Sequence, residues 1–311
     1  MKRIMVTGGA GFLGTNLTLS LIQNSKNFIN IIDNLSTSSA KNIKKIKSNN
    51  INFIENDICS PLNVDDNLDE IYHLACPASP VQYQKNPLAT LFTSFIGTKN
   101  VLEFALKHNC RVLFTSTSEV YGDPSITPQS EIYNGNVNIL GPRSCYDEGK
   151  RAAETLCFEY KNKYNLDIRI VRLFNTYGPY MAVNDGRLIS NIIIQALRGD
   201  DLTIFGNGKQ TRSFCYVDDL IIGLKKAMSS DIFSNPINLG NPNEIEIIEA
   251  VEKIKDLTNS KSEIVFKHEA IDDPQQRRPD ISKAEKYLGW KPKTKLEDGL
   301  LETINYFDSI L

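Results

Sequence analysis

Tyr146 and Lys150 stand four residues apart in Tyr146-Asp147-Glu148-Gly149-Lys150. Four residues make about one helical turn, so both side chains leave the same helix face. An ammonium beside a phenol favours the phenolate and lowers the tyrosine pKa, which suits a base that takes a hydroxyl proton. Some 30 residues upstream, Thr115-Ser116-Thr117-Ser118-Glu119 closes a strand-like run. In an open α/β sheet, ligands bind at the carboxyl ends of strands. Hydroxyls and an acid at that edge, with Tyr146 and Lys150 on the next helix, make a hydride-transfer site with one extra acid/base.

A hydride needs an acceptor, and the first residues supply a place for one. Thr7-Gly8-Gly9-Ala10-Gly11-Phe12-Leu13-Gly14 follows a strand-like run and opens a helical one. Gly8 permits the tight turn, Gly11 lets the backbone approach a pyrophosphate, and Gly14 allows close helix–strand packing. The phosphates would sit at the helix N-terminus, where free N–H groups and the dipole favour negative charge. Asp33 ends the second strand-like run 19 residues past Gly14. Its carboxylate suits the two ribose hydroxyls of NAD and repels the 2′-phosphate of NADP, and the next basic residue is Lys41. NAD is therefore the expected cofactor. Asp57, just past the third strand, is placed to reach the adenine.

The elements that must hold these residues read as an α/β protein with a doubly wound parallel sheet. Short runs rich in β-branched residues, Arg3–Thr7, Asn30–Asp33, Ile51–Ile54, Glu70–Leu74, Arg111–Ser116 and Ile168–Leu173, alternate with helical patterns such as Leu13–Gln23 and Thr90–Lys107. That alternation predicts helices on both faces of the sheet. Residues 1–175 are expected to form a Rossmann-type NAD domain. Residues 176–311 are expected to form mainly a smaller substrate region, with 213–228 and 236–240 returning to the main sheet. The lysine- and asparagine-rich run 41–50 reads as a solvated helix face.

Composition excludes other classes. The 311 residues are 41% hydrophobic and 23% charged, with a net charge of −2. No nucleic-acid or membrane surface is expected as a partner. Met1-Lys2-Arg3 runs straight into the first strand, leaving no room for a signal peptide, and no apolar run approaches the ~20 residues of a membrane span. The six cysteines lack CxxC pairs and nearby histidines, so no metal site and no disulfide framework is expected, and a cytoplasmic enzyme is.

Taken together, the glycine turn, the strand-end hydroxyls and YxxxK resemble the extended short-chain dehydrogenase/reductase family of sugar-nucleotide epimerases, dehydratases and decarboxylases. The chain is most similar to its UDP-glucuronate decarboxylase (UDP-xylose synthase) branch. Residues 73–80 (HLACPASP), 115–124 (TSTSEVYGDP), 143–151 (RSCYDEGKR), 172–179 (RLFNTYGP), 208–214 (GKQTRSF) and 272–280 (DDPQQRRPD) carry that resemblance. It implies that Tyr146, Lys150, Thr117, Ser118, Glu119 and Arg212 serve catalysis. It also implies that Gly8, Gly11, Phe12, Leu13, Gly14, Asp33, Asn34, Asp57, Ile58, Leu74 and Ala75, with Tyr146 and Lys150, hold the cofactor. Asn175, Arg187, Arg212 and Arg277 would hold the nucleotide diphosphate and sugar, arginine suiting phosphate through its planar fork. Phe205 would pack on the uracil, and His73 would be structural. A homodimer is implied, formed through the segments Thr90–Lys107 and Tyr146–Lys163.

Related dehydratases carry Asp-Glu where Ser118-Glu119 stand, and a serine is too weak an acid to protonate a leaving hydroxyl. What remains suits UDP-glucuronate: oxidation at C4, loss of CO2 from the β-keto acid, reprotonation and return of the hydride to give UDP-xylose. A UDP-sugar 4-epimerase, a 4,6-dehydratase, a decarboxylase stopping at the 4-keto pentose and a non-catalytic NAD-sensing protein are the alternatives. One departure stands out. The branch carries Lys-Thr-Asn where this chain has Phe92-Thr93-Ser94; the lysine is expected near the sugar, so Phe92 would remove a positive charge there.

Overall fold

The computed structural model describes residues 1–46, 48–64, 68–233, 235–268, 274 and 276–311; Asp272, Asp273 and Gln275 of the motif at 272–280 lie outside them. Seven strands form the main sheet: β1 (Lys2–Thr7), β2 (Asn27–Asp33), β3 (Ile51–Glu55), β4 (Glu70–His73), β5 (Arg111–Thr117), β6 (Ile168–Leu173) and β11 (Ile237–Leu239). Their order is β11-β6-β5-β4-β1-β2-β3, and every pairing is parallel. The central strands read as continuous apolar runs because both faces are covered. In β1, Ile4 and Val6 join one core while Met5 joins the other, as the two-residue period of a strand requires. The first core also contains Ile192, Leu220, Ile254 and Leu300, so the C-terminal region shares it with the sheet. Chain order reverses between β1 and β4, the switch point at which such sheets bind ligands.

All six strands expected from sequence are present, and the stretch at 236–240 returns to the sheet as β11 beside β6. The helices that matter for the site are α1 (Phe12–Leu21), α2 (Ala40–Lys45), α3 (Pro80–Lys85), α4 (Pro87–Phe92), α5 (Thr98–His108) and α6 (Ser144–Tyr164). The single helix expected over Thr90–Lys107 is instead α4, a π-helical turn at Thr93–Gly97, and α5. Tight packing accompanies the π turn. A Cβ on Gly97 would come 2.5 Å from Ile58 Cδ1, and one on Gly149 of α6 would come 2.9 Å from Ser94 Cβ.

The remaining strands are short. β7 (Thr176–Tyr177) pairs with β10 (Cys215–Tyr216), and β8 (Leu202–Phe205) pairs with β13 (Ile264–Lys267). β9 (Thr211–Ser213) lies between β12 (Glu244–Glu246) and β14 (Gln276–Arg277), with Arg212 in register with Arg277. His73 ends β4 fully buried, its ring nitrogens 2.8 Å from Thr7 Oγ1 and 3.0 Å from Thr98 Oγ1. Burial, then the charge of Lys150, pushes its pKa down to about 3, so it ties β4 to β1 and α5 as a neutral ring.

Candidate active site

The glycine turn is held against the tip of β4. Gly8 has φ +70°, and a Cβ there would lie 2.8 Å from the Ala75 backbone; a Cβ on Gly14 would lie 2.2 Å from Gly8 O. Only glycine lets α1 begin so close to the turn. Its N-cap, Gly11, offers no side-chain acceptor, so the first N–H groups are left for an anion. Asp33 is 8% exposed and already accepts three bonds, from Ala10 N (3.0 Å), Leu35 N (2.9 Å) and Ser38 Oγ (2.7 Å). A carboxylate has roughly four lone-pair sites, so one remains for a ribose hydroxyl. Asn34 Nδ2 donates to Asp57 Oδ2 at 2.9 Å. These residues, with Gly8, Gly11, Phe12, Leu13, Gly14, Ile58, Leu74 and Ala75, border one cleft of about 680 Å³. The chain's own groups therefore fit NAD.

A second cavity, of about 430 Å³, adjoins the first at Cys76 and Arg187, which border both. Thr117, Ser118, Glu119, Tyr146 and Lys150 line it, as do Asn175, Arg187, Phe205, Arg212 and Arg277. The residues singled out in the sequence thus fall into two adjoining spaces. Lys150 Nζ donates to Thr115 O at 2.8 Å and sits 4.8 Å from the centre of the Phe114 ring. Burial lowers its pKa. The Tyr146 ring stacks on Tyr83 at 5.2 Å and 3°. Burial, the largest influence, pushes the Tyr146 hydroxyl well above the ordinary tyrosine value, and a hydrogen bond from Thr117 only partly offsets it. The expected lowering by Lys150 is thus not what dominates among the protein's own groups.

The carboxylate of Glu119 is gripped by two arginines. Arg143 Nη2 and Arg277 Nη1 both meet it, and Arg277 Nη2 lies 3.1 Å from Oε2. Arg277, 2% exposed, also donates to Ser118 Oγ at 2.9 Å. Burial opposes the charge on Glu119, but Arg277 and then Arg143 outweigh it and hold the carboxyl at about 2. Farther out, Arg187 forks Asp185 at 2.6 and 2.9 Å and lies 5.5 Å over Phe12. Arg212 is buried, with Nη1 donating to Thr211 O at 2.8 Å, while Phe205 is 48% exposed at the cavity wall.

Arg143, Tyr83, Asp147 and Cys76 belong to this region and were not singled out from sequence. Arg143 carried a signal, since it precedes Tyr146 by three residues and so lies one helical turn away. Nothing marked Tyr83. Phe92 corrects an expectation: it is 50% exposed, and neither cavity includes it. It lies with Phe95 (41% exposed) on the outside of α4 and the π turn, so it removes no charge from the sugar end. Ser94, by contrast, is buried, its Oγ 3.2 Å from Cys76 Sγ.

A glycine turn at the switch point, with buried tyrosine and lysine beyond the adjoining strand end, defines an extended short-chain dehydrogenase/reductase. Residues 5–303 match the GDP-mannose 4,6 dehydratase family, and the chain belongs to it. It is 53% identical over 299 residues to UDP-glucuronic acid decarboxylase 6 of Arabidopsis thaliana, covering 96% of this chain and 86% of that one. It is 50% identical over 307 residues to UDP-glucuronic acid decarboxylase 1 of Xenopus tropicalis, covering 98% and 72%. Among solved structures, UDP-glucuronic acid 4-epimerase from Bacillus cereus, in complex with UDP-glucuronic acid and NAD, superposes with a TM-score of 0.89 at 30% identity, covering 99% and 100%.

Proposed function

We propose that this chain is an NAD-dependent decarboxylase that converts UDP-glucuronate to UDP-xylose. Similarity to UDP-glucuronic acid decarboxylases over nearly the whole chain supports the substrate. The observation that carries the chemistry is the Ser118-Glu119 pair against Arg277 and Arg143. It offers cationic donors to a carboxylate or an enolate, and no acid able to expel hydroxide. NAD, when bound in the glycine-turn cleft, would supply the acceptor for the C4 hydride and its later donor. Tyr146 takes the C4 hydroxyl proton, leaving a ketone β to the C5 carboxylate. The C5–carboxyl bond then breaks, CO2 leaves, and its electron pair becomes an enolate. Tyr146 holds the enolate oxygen by donating its proton as a hydrogen bond, and Lys150 keeps that phenol oriented. C5 takes its proton from water, which leaves as hydroxide; the cofactor, when bound, would supply the hydride to C4, and Tyr146 gives its proton to the C4 oxygen. Residues 1–175 serve NAD, and residues 176–311 mainly the nucleotide sugar through Arg187, Phe205, Arg212 and Arg277, with Asn175 at the boundary joining them.

Exposed Leu88, Phe92, Phe95 and Ile96 on α4 and the π turn, with Phe158 on α6, support a homodimer formed through these helices. No helix among the described residues is long and apolar enough to cross a membrane. Six free cysteines suit a reducing, cytoplasmic setting. Incubation with UDP-glucuronate and NAD tests the reading: CO2 and UDP-xylose are expected. An epimerised product without CO2 would overturn it.

A further inference from the structure

The cofactor cleft has a second wall that the glycine turn does not supply. Residues 180–185, just beyond β7, border it, as do Lys41 and Lys45 of α2 and, from far along the chain, Tyr306 and Ile310. The wall is tied down at both ends: Asn16 Nδ2 of α1 donates to Pro179 O at 2.9 Å, and Arg187 forks Asp185. Between these ties, Tyr180 has φ +71°. A bulky residue rarely adopts that left-handed conformation, so its surroundings must hold it there. The contacts at hand are aromatic. The Tyr180 ring lies 5.2 Å from that of Tyr306, on the helix Leu296–Asp308. Lys45 Nζ lies 5.7 Å from the centre of the first ring and 5.2 Å from that of the second. Both distances allow a cation–π attraction.

We propose that Lys45, Tyr180 and Tyr306 form a latch that holds the wall 180–185 closed on NAD, so that the cofactor stays bound between oxidation of the sugar and return of the hydride. All three are positioning residues, acting on the cofactor through the wall. Three segments remote in sequence meet here, and none of them belongs to the sugar cavity. The reaction needs such retention, because loss of the reduced dinucleotide midway leaves the sugar oxidised at C4. The latch is also built to open. Lys45 is exposed and the two rings are half-buried, so each cation–π contact is weak and breaks without disturbing the core.

This inference rests on NAD being the cofactor. Its test is the rate at which NADH leaves the protein, read by stopped-flow fluorescence on displacement with excess NAD, beside the Kd of UDP from calorimetry. Lys45→Met and Tyr306→Leu are each expected to raise that rate about fivefold, with the Kd of UDP staying within about twofold. Lys45→Arg and Tyr306→Phe, which keep the cation and the ring face, are expected to behave as wild type. The double variant Lys45→Met/Tyr306→Leu is expected to be no faster than the faster single one, since both changes break the same contact. If Tyr306→Leu does not fold, Tyr180→Leu takes its place. Wild-type rates in Lys45→Met and Tyr306→Leu overturn the proposal. So does multiplication of the two effects in the double variant, which would mean that Lys45 touches the cofactor directly, and so does an equal loss of UDP affinity, which would mean general loosening. Failure of the wild type to bind NAD or NADH instead sinks the cofactor reading on which the latch stands.

Discussion

Arg277 and Glu119 meet across 158 residues of chain, Arg277 Nη2 lying 3.1 Å from Glu119 Oε2. Arg277 belongs to a two-residue strand, β14, and Glu119 lies just past the carboxyl end of β5. Pairing of β14 with β9 and the bond from Ser213 Oγ to Arg277 O at 2.6 Å deliver the guanidinium to that edge. The C-terminal region therefore completes an electrostatic arrangement that the main sheet begins. A guanidinium fork meeting a carboxylate is a directional contact that an ammonium does not reproduce.

This pairing predicts an acid-sensitive component of stability. The Glu119 carboxyl is held at about 2, against an ordinary 4.5. Its stabilising contribution is full above the unfolded value and is lost as pH falls through the window from 4.5 towards 2. Glu119→Gln is expected to be less stable than wild type at pH 7, because it leaves buried Arg277 and partly buried Arg143 facing a neutral amide. The gap should narrow as pH approaches 3. Urea denaturation at pH 7, 5, 4 and 3 measures it, and a gap independent of pH would contradict the assignment.

Gln129 is predicted to act on the site without touching it. It is fully buried, and its Oε1 accepts from Arg278 N at 2.8 Å while its main chain bonds Arg278 O and Asp280 N at 2.8 and 2.9 Å. These bonds pin the chain immediately after Arg277. Gln129→Ala leaves the Arg278 N–H without that partner and should cost about 1–3 kcal/mol of stability. Loosening Arg277 should also raise the KM for the nucleotide sugar by on the order of tenfold, since small misplacements are expensive in a site of this kind. NAD affinity, set at the other end of the sheet edge, should stay within about twofold. Thermal unfolding, steady-state kinetics and cofactor titration separate the three effects.

What the sequence disclosed and what it hid have physical causes. The parallel sheet was legible because strands such as β1, where Ile4, Met5 and Val6 follow one another and are all buried, are covered on both faces. Gly8 and Gly14 were legible because close backbone approach admits only glycine. The π turn at Thr93–Gly97 was not: α4 and α5 keep helical spacing on either side, and Gly97 and Gly149 reveal close packing only when Ile58 and Ser94 are in place. Phe92, the last residue of α4 before that turn, is exposed, a fact its spacing alone did not disclose. Tyr83 was hidden because stacking on Tyr146 joins residues far apart in sequence. Asp147 sat inside the YxxxK motif, but its burial behind Arg143 depends on the tertiary arrangement.

Asp33 is predicted to govern cofactor choice and the shape of the glycine turn together. Wild type should bind NAD much more tightly than NADP, because a carboxylate repels the 2′-phosphate. Asp33→Asn removes the repulsion, so the preference should shrink. The same change replaces one of the oxygens that accept from Ala10 N, Leu35 N and Ser38 Oγ with an amide donor. NAD affinity should therefore fall as well, together with the thermal midpoint. Calorimetric titration of both cofactors checks the first part. Equal affinity of wild type for NAD and NADP would refute the role given to Asp33.

Ser118→Asp tests whether a single proton donor separates this enzyme from its dehydratase relatives. The simple expectation is that restoring an aspartate restores water elimination. The geometry argues otherwise. Ser118 Oγ lies 2.9 Å from Arg277 Nη1, and the same guanidinium grips Glu119. An aspartate at 118 would enter that charge field and compete with Glu119 for Arg277. Held ionised by the guanidinium, it would have no proton to give a leaving hydroxyl at neutral pH. The variant is therefore predicted to make no 4-keto-6-deoxy product from UDP-glucose or dTDP-glucose. It should also lose CO2 release from UDP-glucuronate, because a second carboxylate repels the anionic sugar and draws Arg277 away from Glu119. Product analysis by mass spectrometry on both substrate classes decides the matter. Dehydrated product from Ser118→Asp would show that residue 118 alone sets the reaction, and would remove Arg277 from the account of how it is set.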